Sequence, residues 1–477
     1  MKILFASFEC LPFFKSGGLG DVAGSLPSYI KAPQYDIRVI LPKLSAIPER
    51  YKAQMAFVRS FDVPLGWRKQ YCGLFMMKLG GITYYFLDNE YYFRRMQVYG
   101  EFDDGERIAF FSKAVVEAIQ YLPNFMPDVL HCNDWHTALS PVFLREFYRD
   151  MPGYNRIKTV FTIHNLKFQG QFSDFIFHDI CGLTGTPAEH QMVSGSGVNF
   201  MAGGVHYADW ITTVSPSYAD EICTEYYGEH MDGLFRERKP VLSGILNGID
   251  YNEYDPEKDE LIPNTYSASD LSGKAKDKAA FQKAHGLRKS KDTPMLSIIS
   301  RLTEQKGFDL VTYILPHLAE RGVQLVILGV GERQYEDAFR WYAGKYPKQF
   351  CFLDTFNVSL SHEIYAASDL FIMPSRFEPC GLSQMMAMRY GTLPVVRETG
   401  GLRDSVQPYN KYTGEGTGFS FANFNAHELL ACIDSAIEIY KKKPADWNRL
   451  INNAMSADFS WTASAKKYRQ LYKELTK

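Results

Sequence analysis

A chain of 477 residues is too long for one ordinary hydrophobic core, so two large domains are expected. A formal net charge of −2, with 46% apolar and 22% charged residues, describes a water-soluble globular protein and lacks the basic excess of a nucleic-acid binder. Eight scattered cysteines without a C-x-x-C pair fit reduced thiols, and no 18-residue apolar run offers a membrane span.

The chain opens MKILFASFECLPFFKSGGLGDVAGSLP. Glu9 interrupts the apolar start and no small-residue cleavage site follows, so the opening reads as a first β-strand, not a signal peptide. A cytoplasmic protein is expected. Ser16 to Asp21 spells [ST]-G-G-L-x-D, and the same pattern returns at Thr399 to Asp404. Gly18 to Ala23 formally matches the dinucleotide fingerprint G-x-G-x-x-A. That fingerprint requires glycines directly after a strand and an acid ending the next one, whereas DIRVILPK ends in Pro-Lys. Gly329-Val330-Gly331 lacks its third glycine, so a nicotinamide dehydrogenase is rejected. What remains is a helix from about Asp21 whose N-terminus, opened by Gly17 and Gly18 beside Lys15, favours an anion.

KILFAS, DIRVILP, TYYFLD, DVLHCND, KTVFTIH and WITTVS read as buried parallel strands separated by helices and loops. The texture breaks after Tyr251, where a polar stretch carries a helix from after Leu271 to Gly286. It restarts at PMLSIIS and continues through VQLVILG, FCFLD, LFIMPS and LPVVR. Two such series imply two doubly wound sheets, with ligands at the carboxyl ends of the strands. The junction falls near Asn247 to Asp250, giving domains 1–250 and 251–458, and DFSWTASAKKYRQLYKEL predicts a terminal helix over 459–477 with Trp461, Ala465, Tyr468 and Tyr472 on one face.

Four clusters sit at strand ends. In HCNDWHTAL, residues His131, Cys132, Asp134 and His136 resemble metal ligands but lack zinc-site spacing. Asp134 and His164 end strands and suit sugar hydroxyls. In SRLTEQKGFDL, Arg301 and Lys306 follow a strand and can neutralise a diphosphate. In PSRFEPCGLSQ, Glu378 is an acceptor for hydroxyls, and the backbone of Cys380, Gly381, Leu382 and Ser383 opens a helix towards ligand oxygens. No D-x-D motif occurs, so no ligand pair for a diphosphate-bridging metal is evident and no metal cofactor is expected.

Together these segments, with YADWITTVSPSYADEI, NGID, YGTLPVVRETGGLRDSV and DFSWTASAKKY, closely resemble bacterial glycogen synthases of the type shared with plant starch synthases. The resemblance runs the whole length. It implies the GT-B fold, two Rossmann-like α/β domains of doubly wound parallel sheets facing across a cleft, with the C-terminal helix 459–477 crossing back onto the first. It implies retaining transfer of glucose from ADP-glucose to the non-reducing 4-hydroxyl of an α-1,4-glucan, glycogen or a maltooligosaccharide. By resemblance Lys15, Gly17 and Gly18 belong to the donor-binding K-x-G-G-L motif, Asp21 is counted with them as substrate-binding, and Arg301 and Lys306 hold the diphosphate. Glu378 and the Cys380–Ser383 backbone grip the donor glucose; His164 and Asp134 touch sugar; Asn247 lines the cleft; Phe356 stacks on adenine. Ser16 replaces the usual Thr, and Met386 stands where many related transferases carry a second Glu.

The residues offer no convincing carboxylate nucleophile, whereas a retaining hydrolase needs two carboxylates about 5 Å apart. Same-face displacement is therefore favoured, with the departing phosphate taking the acceptor proton. A UDP-glucose donor or short-oligosaccharide acceptor is the alternative within this class. An inactive glucan-binding protein is the alternative outside it, disfavoured by the presence of Lys15, Arg301, Lys306 and Glu378.

Overall fold

The computed structural model describes residues Met1–Lys477. The chain divides into two compact units, Met1–Asn247 with Trp461–Lys477, and Gly248–Ser460.

The first unit is built on twelve strands: β1 (Lys2–Ala6), β2 (Asp36–Pro42), β3 (Ala56–Leu65), β4 (Arg68–Leu79), β5 (Ile82–Asp88), β6 (Val129–Asn133), β7 (Lys158–Ile163), β8 (Gln171–Ser173), β9 (Val193–Ser194), β10 (Gly197–Asn199), β11 (Trp210–Thr213) and β12 (Leu242–Gly244). Nine form one sheet in the order β12-β11-β7-β6-β1-β2-β5-β4-β3, and β8-β10-β9 form a small antiparallel sheet. The strands from β12 to β5 are parallel and their middle members are fully buried, as their continuous apolar runs dictate. β3 and β4 depart from the expected all-parallel sheet. They form an antiparallel hairpin along its edge, joined at Gly66 (φ +57°). Their exposed positions give alternation instead of an apolar run.

The helix Gly18–Ile30 starts three residues earlier than expected, because an extended Gly17 serves as its N-cap. Asp21 therefore lies in its first turn. The C-terminal helix Trp461–Leu475 buries Trp461, Ala465, Tyr468 and Tyr472 in the first unit's core. The Tyr472 hydroxyl bonds His131 Nδ1 at 2.6 Å. Arg469 donates to the carbonyls of Tyr29 (2.6 Å) and Ile30 (3.1 Å), so a cation caps the C-terminus of Gly18–Ile30. Ser464 Oγ donates to Leu246 O at 2.6 Å.

The second unit carries β13 (Met295–Ile299), β14 (Gln324–Leu328), β15 (Phe350–Leu353), β16 (Leu370–Met373), β17 (Leu393–Arg397) and β18 (Phe419–Phe421). All are parallel, in the order β15-β14-β13-β16-β17-β18. Counted within the unit this is 3-2-1-4-5-6, the doubly wound order whose direction reverses between β13 and β16. In the first unit the reversal falls between β1 and β6. The two segments at the ends of the second unit run side by side, with Ile249 N donating to Phe459 O (2.8 Å) and Tyr251 OH to Ala457 O (3.0 Å). All eight cysteines carry free thiols. No helix is long and apolar enough to cross a membrane.

Candidate functional site

Each unit gathers predicted residues at its own point of reversal. In the first, the loop after β1 carries Lys15 together with the unpredicted Glu9, the loop after β6 carries Asp134, and His164 follows β7.

Lys15 Nζ pairs with Asp21 Oδ1 at 2.9 Å, and both side chains are about a third exposed. The Gly17 N–H was expected to stand open to an anion. It is instead taken by the buried carboxylate of Glu9, which accepts Ser16 N at 2.5 Å and Gly17 N at 3.3 Å on Oε2. An internal carboxylate thus fills the first place an anion would bind. A Cβ on Gly17 or Gly18 would meet nothing within 4 Å, so the turn is open on that side. Gly20 and Gly24 are different: a Cβ there would strike Lys15 and Leu11, which makes them packing glycines.

Asp134 is strained. Its φ of +61° and ψ of 177° lie in a region almost reserved for glycine, at a cost of about 1–3 kcal/mol. Asp134 N donates to Thr162 O at 2.8 Å, extending the β6–β7 pairing one residue beyond the strand. Oδ1 is buried without a hydrogen-bond partner, as is Nδ1 of His136. Burial pushes the Asp134 carboxyl up to about 8; N–H groups of Trp135, His164 and Asn165 oppose the rise, and the Glu9 charge adds to it.

His164 Nε2 lies 3.0 Å from Asn133 Oδ1, while Asn133 gives its amide N–H to Ala6 O at 3.0 Å. That fixes Oδ1 towards the imidazole, so Nε2 carries the proton and Nδ1 is left as an acceptor. Burial lowers His164 to about 3, so it is neutral at physiological pH. His131 is not with it. Its ring is spent on Tyr472 and on Thr162 Oγ1 (2.6 Å), inside the sheet. His131, Cys132, Asp134 and His136 do not converge as metal ligands. Asn247 is buried with Oδ1 unpartnered.

In the second unit, Lys306 and Glu378 meet at 2.7 Å, one from the loop after β13 and one from the loop after β16. Ser375 Oγ donates to the same Glu378 oxygen at 3.0 Å, a partner the sequence did not reveal. Gly307 (φ +75°) ends the Lys306 turn, and a Cβ there would lie 2.1 Å from Pro374 O, so glycine alone lets the two loops meet. Arg301, in the same loop as Lys306, is exposed and carries no ion pair.

Ser383 begins the helix Ser383–Arg389, with Gly381 (φ +70°) turning the chain into it and Cys380 buried. The second glycine turn packs against this loop. Gly401 N donates to Glu378 O at 3.1 Å, and a Cβ on Gly401 would stand 2.0 Å from Cys380 O. The two [ST]-G-G-L-x-D turns therefore do different work, one open and one pressed against the glutamate loop. Phe356 is 79% exposed, in the loop between β15 and the helix Val358–Ala367.

The starch synthase catalytic domain model matches residues 2–237 and the glycosyl transferases group 1 model matches 280–454. Glycogen synthases of Clostridioides difficile and Bacillus cereus (strain B4264) are 49% and 51% identical to the chain, each with 100% of both chains covered. The catalytic domain of starch synthase IV from Arabidopsis thaliana, solved with ADP and acarbose, superposes with a TM-score of 0.89 at 32% identity. It covers 100% of this chain and 99% of that one. A sucrose-phosphate synthase from Thermosynechococcus elongatus shares the fold alone, with a TM-score of 0.61 at 16% identity over 99% of this chain and 98% of that one. The chain belongs to the glycogen and starch synthase family of glycosyltransferases, with the GT-B fold.

Proposed function

We propose that this protein is a cytoplasmic glycogen synthase. It transfers glucose from ADP-glucose to the non-reducing 4-hydroxyl of an α-1,4-glucan, glycogen or a maltooligosaccharide, with retention of configuration. The observation that carries the reading is the Lys306–Glu378 pair beside Arg301 at the reversal point of the second sheet. A diphosphate and a sugar need that juxtaposition of cations and a hydroxyl acceptor. The family relative bound to ADP and acarbose supports it.

Arg301 and Lys306 neutralise the diphosphate as the bond from glucose C1 to the phosphate oxygen breaks. Glu378 and the N–H groups at Cys380–Ser383 orient the donor glucose, and Phe356 stacks on the adenine. From the first unit Lys15, beside Asp21 and the open Gly17–Gly18 turn, serves the donor phosphates. His164 Nδ1 and the neutral Asp134 carboxyl hold sugar hydroxyls as acceptor and donor respectively, and Asn247 contributes its unpaired amide oxygen. The acceptor oxygen attacks C1 on the face the phosphate leaves, and the departing phosphate oxygen takes its proton. No metal is assigned to the reaction.

Incubation with ADP-glucose and UDP-glucose in parallel, with glycogen as acceptor, tests the reading. Proton NMR of the product's anomeric signal reports the configuration. Faster transfer from ADP-glucose into α-linkages is expected; preference for UDP-glucose or release of free glucose would overturn it.

A further inference from the structure

Glu9 is 4% exposed and lies three residues past the end of β1. All four acceptor directions of its carboxylate are taken. Ser16 N (2.5 Å) and Gly17 N (3.3 Å) reach Oε2, while Ser16 Oγ (2.6 Å) and Tyr99 OH (2.6 Å) reach Oε1. Three of these bonds come from the two residues that follow Lys15. The ion pair of Lys15 with Asp21 is too exposed to fix the lysine, since such pairs contribute about 0–1 kcal/mol. Bonds to a buried carboxylate are each stronger, about 1.5–3 kcal/mol.

Tyr99 in turn is held by its surroundings. Its ring packs on Phe8 (5.8 Å between centroids) and His136 (5.0 Å), and its loop is anchored by Arg95 to Asp103 and by Arg107 to Asp104. Glu9 thereby joins the end of β1, the glycine turn and the 95–103 loop.

We propose that Glu9 is a positioning residue: its carboxylate, oriented by Tyr99, fixes the backbone that presents Lys15. By filling the Ser16 and Gly17 N–H groups it also denies them to the substrate, so a donor phosphate must register on Lys15 itself. The inference rests on the reading that Lys15 serves the donor.

The test uses Glu9→Ala, Glu9→Gln, Tyr99→Phe, Lys15→Ala and the Glu9→Ala/Lys15→Ala double variant of the full chain. Steady-state kinetics and hydrogen exchange of the 15–18 backbone amides are read together. Glu9→Ala is expected to cut kcat at least tenfold with a smaller change in KM for ADP-glucose, and to speed exchange at Ser16 and Gly17. The double variant should be no worse than Lys15→Ala alone, because residues acting as a unit are not additive. Glu9→Gln should fall between, since its amide oxygen can keep the two N–H groups while its NH2 donates to the two hydroxyls. Tyr99→Phe should resemble a milder Glu9→Gln. If Glu9→Ala does not fold, the Gln and Phe variants carry the comparison.

Multiplying losses in the double variant, or unchanged exchange at Ser16 and Gly17, would overturn the inference. Full turnover by Lys15→Ala would instead sink the donor reading, with the exchange data still reporting whether Glu9 orders the turn.

Discussion

Asp134 offers a direct test of how this fold trades stability for a site. Replace it with Asn, which keeps the shape and tolerates a positive φ but cannot ionise. The carboxyl sits near 8 in the fold against an ordinary value near 4. For an acid with a raised folded-state value, the native state holds a proton that the unfolded chain has lost. Wild-type stability therefore falls as pH rises through that window, and the loss levels off above about pH 8. At about 1.4 kcal/mol per pH unit, the window amounts to on the order of 5 kcal/mol that Asp134→Asn does not lose. Asp134→Gly adds relief of the strained backbone, about 1–3 kcal/mol less roughly 0.5–1 kcal/mol for glycine's greater unfolded freedom. Urea denaturation of wild type and both variants at pH 5 and pH 8.5, followed by fluorescence, measures the gaps. The variants should be level with or above wild type at pH 5 and well above it at pH 8.5, while transferring glucose far more slowly. Parallel pH profiles for wild type and Asp134→Asn would show that the carboxyl is not held neutral.

Glu378→Ala leaves Lys306 as an unpaired, mostly buried cation and should destabilise the protein by about 3 kcal/mol. ADP supplies a new anion, so its stabilising shift in melting temperature should be larger in the variant than in wild type; an equal or smaller shift refutes the pairing argument. Glucose transfer should persist in excess EDTA, since the sequence holds no D-x-D pair, and loss restored by magnesium would refute that. Tyr472→Phe leaves a buried His131 nitrogen without its partner and should cost about 1–3 kcal/mol in chemical denaturation, with no change counting against the contact.

The strands that carry the candidate site residues were legible because burial on two faces demands continuous apolar runs, as in KTVFTI and LFIM. The β3–β4 hairpin was not. AFVRSFDVPL mixes charge and apolar residues because its edge faces water. The candidate site residues at strand ends were readable from polar groups following a buried run, which is how Arg301, Glu378 and His164 stood out. Glu9 escaped although it too follows a strand, because an acid in an apolar stretch looks like an interruption and its partners lie 7 to 90 residues away. Nor could the pattern distinguish the open glycine turn at Gly17–Gly18 from the one pressed on Cys380. That distinction depends on neighbours from other segments.

The bond between His131 and Tyr472 spans 341 residues, yet it lies within the core of the first unit. During synthesis that unit cannot close until the helix Trp461–Leu475 has left the ribosome. The second unit is one uninterrupted segment, Gly248–Ser460, and emerges whole beforehand. At about 5–20 residues per second, roughly 10–40 seconds pass between completion of β12 and arrival of the last helix. Throughout that interval the cavity meant for Trp461, Tyr468 and Tyr472 faces solvent or a chaperone. The usual order, amino-terminal domain first, is inverted here, and a truncation that removes the helix Trp461–Leu475 strikes the half of the molecule made first.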